Sequence, residues 1–205
     1  MEYSREQLNY LNICHVRVDL VPAGLREIFK REWDFHYGSS LGQWKDTPQN
    51  GLDFYKRESK ASRKKNARCL AVIHNGDTAE WDLSCLLFAI LYSDSIGTTL
   101  SPAVRKVVDD IRQVRNEIAR LTHAKMTDNE FLTSIDRVLN AFVSLGLGTT
   151  EIQEIKNRTI FPKKEVESLQ KQARDLQAEL GQTISDLRET KSTQATLHST
   201  IFCEY

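Results

Sequence analysis

The chain has little that would cross-link it or interrupt it. Only four of its 205 residues are cysteine, and Cys14, Cys69, Cys85 and Cys203 stand far apart with no C-x-x-C among them. That spacing argues against a zinc site and gives no support to a disulfide framework. Such cysteines suit a reducing compartment, where they serve as small buried hydrophobes. Proline and glycine are also scarce, at four and nine, and fall mostly where helices would start or stop. No apolar run approaches the roughly 20 residues that span a bilayer; the most apolar, Leu83 to Tyr92, is interrupted by polar Ser84. An excess of one charge is missing as well, with 28 Lys and Arg against 28 Asp and Glu. Bulk charge therefore implies neither a nucleic-acid nor a membrane partner, and any such argument must come from local patches. Residues Met1 to Glu6 are polar and carry no signal-peptide core, so the expected location is cytoplasmic. No P-loop, dinucleotide fingerprint or nucleophile elbow occurs. His15, His36, His74 and His198 stand singly, without a second ligand type at metal-site spacing, so neither metal nor cofactor is expected.

What is present is helical periodicity, and it predicts an all-α fold. Ser4 serves as an N-cap for a first helix running towards Val18, and Pro22 suits the first turn of a second. Leu25, Ile28, Phe29 and Trp33 then recur at helical spacing. Gly38 to Asn50 reads as a loop punctuated by Gly38, Gly42 and Pro48, with Trp44 plugging a core edge. A helix from Asp53 or later carries a basic run into the apolar stretch Cys69 to Ile73. Asn75-Gly76 is a helix stop, and Asp77 with Glu80 three residues on predicts a capping box for a buried central helix that includes Trp81. Ser101-Pro102 starts a long helix with apolar positions from Val104 to Leu121. Thr127 with Glu130 starts another, ended by Gly146, and a short helix spans Thr150 to Ile160.

From Lys163 the composition changes, with no proline, one glycine and no aromatic until Phe202. Val166, Leu169, Leu176, Leu180 and Leu187 lie on an alternating three-four spacing, the seam of a coiled coil. The alternative is one amphipathic helix packed on its own domain. The expected organisation is a helical domain over residues 1–161 and a coiled-coil or amphipathic helix over 162–205.

Two segments carry chemistry. Lys56, Arg57, Lys60, Arg63, Lys64, Lys65 and Arg68 place seven cations around one carboxylate, Glu58, which suits phosphate neutralisation or else a solvated helix face. The second segment runs from Val114 to His123. On a helix of about 100° per residue, Arg115 lies about 60° from the centre of the apolar face. A charge there needs a partner or a function, the alternative being a carboxylate at the rim such as Asp109 or Glu117.

Arg115-Asn116-Glu117-Ile118-Ala119 resembles the start of the R-N-x-x-x-H motif of HEPN domains. The wider text, Gly24 to Trp33, Gly51 to Tyr55, Asn75-Gly76 with Ala79 to Asp82, and Ile152 to Asn157, is similar to the HEPN subgroup named after the DAZ-interacting zinc-finger ubiquitin ligase. The resemblance covers roughly residues 8 to 160. It implies a HEPN-like helical bundle, a homodimer with two motifs facing each other, and an RNA-directed role or assembly with other signalling proteins in innate immunity. In active members the motif cleaves RNA without metal, its His moving protons and its Arg stabilising phosphoryl charge. Arg115 and Asn116 match that motif. The His position is held by Arg120, whose guanidinium stays protonated and cannot act as a general base. His123, three residues on, is the substitute candidate. The expectation is a binding and assembly module, with a metal-independent endoribonuclease and a pure protein adaptor as alternatives.

An isolated amphipathic helix gains little in water unless its stripe is buried. Truncation after Pro162 is therefore expected to weaken self-association while leaving a folded domain. Sedimentation of the full chain as a monomer at micromolar concentration would sink the coiled coil.

Overall fold

Leu86 to Leu91 form a segment with no solvated face, and the other helices of its unit gather round it. In the computed structural model, residues 3–121 and 123–158 are described, together with Lys171 and Arg174. The chain divides into two units, residues 1–160 and 161–205. The described residues of the first unit are helices and turns, with no strand among them. In the second, Lys171 and Arg174 are helical and exposed. The predicted seam, Val166, Leu169, Leu176, Leu180 and Leu187, lies outside the described residues.

Helix α1 (Arg5–His15) opens on a full capping box: the Ser4 side chain accepts from Gln7, whose own side chain accepts from the Ser4 N–H. It does not stop near Val18. A π-helical turn, Val16–Leu20, carries it straight into α2 (Val21–Tyr37). The wide turn explains why Pro22 causes no break. The Val21 N–H reaches Val16 O, and Pro22, in the first turn of α2, has no N–H to place.

Leu25, Ile28, Phe29 and Trp33 of α2 are wholly buried. Phe29 meets Trp44 and Trp81 edge-on, each at 4.7 Å between ring centroids, and Phe54 completes the cluster. Trp44 is buried as expected. Its loop ends earlier than expected, however, because α3 (Pro48–Arg57) starts at Pro48 with Thr47 as N-cap. Gly51, which reads as a loop residue, sits inside α3. A Cβ there would collide with the carbonyls of Ile73 and His74, so glycine lets α3 pass close against the end of the helix that Ile73 closes.

The basic run does not ride one helix. Glu58 leaves helical geometry at the end of α3, and Ser59 caps α4 (Lys60–Lys65). α5 (Ala67–Ile73) follows and ends before Asn75-Gly76, with Gly76 left-handed at φ 80°. Asp77 caps only a 3₁₀ turn, Thr78–Glu80, and the central helix α6 (Leu83–Leu91) starts later, with Asp82 as its N-cap. The reason is tertiary. Arg26 donates to the carbonyls of Thr78, Ala79 and Trp81, which pins the turn and leaves Trp81 free to enter the aromatic cluster.

α7 (Pro102–Ala119) and α8 (Asp128–Leu145) start at the expected caps, and left-handed Gly146 ends α8. α9 (Thr150–Asn157) is slightly shorter than expected. α7 packs against α8, α1 against α8, and α2, α5 and α7 against α6. No described helix is long and apolar enough to cross a membrane.

Asp46 ties the aromatic loop to the 78–80 turn. It accepts from Trp44 Nε1 at 3.0 Å and from the Thr78 hydroxyl at 2.7 Å, and pairs with Lys30. Burial alone would raise its pKa, but the Lys30 ammonium and the two Thr78 donors outweigh it and bring it below the ordinary 3.8. A depressed carboxylate contributes stability above its unfolded pKa and loses it as pH falls through the folded value. Asp46→Asn is expected to lower stability at pH 7 by on the order of 1 kcal/mol, given partial solvent screening. The gap to wild type should close as pH drops below about 3.8, in denaturant titrations run across that range.

A candidate anion-binding cleft at Arg115

A cleft of about 700 Å³ opens between α4, α6 and α7. Ser62 and Lys65 line it from α4, Ser84 and Phe88 from α6, Tyr92 and Asp94 from the turn after α6, and Arg112, Arg115 and Asn116 from α7.

Arg115 is placed by the phase of α7. Val108, Ile111, Val114 and Ile118 bury one face, and Arg115 stands at its edge, partly buried. Its Nη1 donates to Asn116 Oδ1 at 3.1 Å and its Nη2 to Ser84 Oγ at 3.0 Å. Its Nε is buried with no hydrogen-bond partner among the described residues. Neither rim carboxylate proposed for it is engaged. Asp109 takes Arg112 Nε at 2.7 Å, and Glu117 takes Arg137 Nη1 at 2.7 Å. Arg115 is thus a guanidinium held by neutral groups, an arrangement that leaves its charge for an outside anion.

The opposite wall is braced by Glu58, 2% exposed. Its carboxylate accepts from the Ser62 hydroxyl at 2.6 Å, the Asp94 N–H at 3.2 Å, and both the N–H and hydroxyl of Ser95. Asp94 in turn accepts from the Ser59 N–H at 2.7 Å, which holds its carboxyl below the ordinary range. The start of α4 and the turn after α6 are therefore cross-tied through two carboxylates.

The predicted site residues separate. Arg115, Asn116 and Lys65 come together. Arg120 is the exposed C-cap of α7 and His123 is exposed in the following turn; neither lines the cleft. Of the basic run, Arg57 lies over the Tyr37 ring at 4.0 Å and Arg63 over the Tyr55 ring at 4.4 Å, while Lys56, Lys60, Lys64 and Arg68 are exposed elsewhere on that segment. Sequence reasoning missed Arg112, Tyr92, Asp94 and Ser84. Arg112 is signalled by its position three residues before Arg115, one turn up the same face. Ser84 is signalled as the polar residue that interrupts the apolar run.

The lining holds three cations, Lys65, Arg112 and Arg115, against one carboxylate, Asp94. Tyr92 adds a ring that is 56% exposed. Phosphate with a flat ring beside it is the ligand chemistry this fits. Among the described residues no histidine lines the cleft. Among the described residues no group of His, Cys, Asp or Glu is arranged to hold a metal ion.

A partly buried guanidinium with no carboxylate partner carries a desolvation cost that an apolar side chain does not. Arg115→Leu is expected to leave the denaturation midpoint unchanged or raised, whereas Phe88→Ala should lose about 3–5 kcal/mol. A loss above about 2 kcal/mol for Arg115→Leu would assign Arg115 to the fold instead. No family model, curated protein or solved structure matches this chain.

Proposed function

We propose that this chain is a HEPN-like, RNA-binding helical module of the cytoplasm, which holds single-stranded RNA in the Arg115 cleft without cutting it and self-associates through a C-terminal coiled coil. The observation that carries the reading is the Arg115 guanidinium, partly buried, held by Asn116 and Ser84, and paired with no carboxylate among the described residues. Arg112 and Lys65 reinforce it, and Tyr92 offers a stacking surface. Stacking on such a ring is worth about 1–3 kcal/mol per base and tolerates any sequence. Binding without turnover follows from what lines the cleft. Cleavage needs a group that exchanges protons near neutral pH, and no His lines the cleft among the described residues; by the resemblance, the motif's His position is held by Arg120. By the resemblance, the setting is assembly with partner proteins in innate immune signalling.

The test uses the full chain with a labelled single-stranded RNA in EDTA. Micromolar binding with an intact RNA is expected. Arg115→Ala should weaken binding about tenfold or more, as charge-assisted hydrogen bonds are worth about 1.5–3 kcal/mol, and should lower the salt slope by roughly one phosphate contact. Because position 120 lies outside the cleft, Arg120→His is expected to leave the RNA intact. No binding, or binding indifferent to Arg115→Ala and Arg112→Ala, would leave the protein-adaptor reading. Metal-free cleavage by wild type that disappears in His123→Ala would make the chain an endoribonuclease.

A further inference from the structure

Cys69 and Cys85, distant in sequence, meet where α5 packs on α6. Their thiols are near enough that each shifts the other's pKa, and both are free. Cys69 is partly exposed and Cys85 is buried at 3% exposure. The position of Cys85 is fixed by the start of α6, since its N–H donates to the Asp82 carboxylate at 2.7 Å. One thiol is therefore partly open to small molecules and the other is shielded from them.

We propose that Cys69 and Cys85 form a reversible redox site, with Cys69 the thiol that reacts with hydroperoxide and Cys85 the thiol that resolves it into a disulfide. The pair is asymmetric in the sense this requires. The neighbouring Cys85 thiol brings the Cys69 thiol below its ordinary pKa, with help from the Arg68 charge and against burial and Asp82. The Cys69 thiol, burial and the Asp82 carboxylate push the Cys85 thiol well up. Cys69 is also the more exposed member of the pair, so reaction with a small molecule falls on it.

In the first step the Cys69 thiolate attacks one peroxide oxygen and the O–O bond breaks. This leaves a sulfenic acid on Cys69, and the departing hydroxide takes up a proton to become water. The Cys85 sulfur then attacks the Cys69 sulfur, the S–OH bond breaks, and a second water leaves with the Cys85 proton. Two thiols are oxidised by two electrons and one peroxide is reduced to two waters. Forming the bond brings the sulfurs to about 2.05 Å, a movement between side chains of already adjacent helices. This site does not depend on the RNA reading.

The test treats the reduced full chain with hydrogen peroxide, blocks remaining thiols, and maps linked peptides by mass spectrometry. A Cys69–Cys85 linked peptide is expected, lost on treatment with dithiothreitol. In Cys85→Ser the sulfenic acid on Cys69 should persist and be captured by dimedone. In Cys69→Ser, Cys85 should remain a free thiol at the same peroxide dose. The wild-type map needs no variant to fold. Absence of the linked peptide, a bridge to Cys14 or Cys203 in its place, or no dimedone adduct at Cys69 in Cys85→Ser would overturn the proposal.

Discussion

Helix α6 is apolar on every side, and this dictates where its neighbours stand. A helix with one apolar stripe can rest on a surface, but a helix whose residues from Cys85 to Leu91 are all buried must be enclosed. α2, α5 and α7 supply the enclosure, each turning its own stripe inward. Burying each such side chain stabilises by about 1.5–3 kcal/mol, so the sheath gains more from α6 than from any surface pair. The cleft follows from the same constraint. Its polar neighbours Ser84 and Tyr92 mark the two ends at which α6 emerges from its sheath, and both face the cavity that Arg115 enters.

Glu58 provides the complementary polar constraint. A buried carboxylate needs its oxygens satisfied, and here hydroxyl and backbone donors do so without a cation. Those donors come from α4 and from the turn after α6, so satisfying the charge also fixes one wall of the cleft. The one acidic residue of a strongly basic segment is thus the one that shapes it, while most of the cations around it stay at the surface or lie over tyrosine rings.

Elements governed by local rules are legible in the sequence alone. Ser4, Ser101, Thr127 and Gly146 act through groups a few residues away, and each ends or starts a helix where its chemistry says. Elements governed by distant groups are not. Asp77 looks like a helix cap until Arg26, far back in the chain, takes the carbonyls that the helix would have used. Gly51 looks like a loop residue until α5 arrives against it. The site divides the same way. Arg115 is visible because a cation near an apolar stripe conflicts with its own helix. Tyr92, Asp94 and Ser84 carry no such conflict and become a site only when α4, α6 and α7 converge. The two thiols, far apart in the chain, are likewise joined by packing alone.

The π turn at Val16–Leu20 has a consequence for how the first helices address their neighbours. A helix is a screw with about 100° between residues, and a π turn adds one residue to one turn of the thread. Along the continuous helical track from Arg5 to Tyr37, this shifts the phase of everything after it. The stripe on α1 is dealt to α8 and the stripe on α2 to α6, two different azimuths served without a loop. Removing one residue from that turn would leave a smoother helix that points Leu25, Phe29 and Trp33 at the wrong neighbour. The irregularity in the thread is what lets one continuous helical track belong to both sides of the bundle.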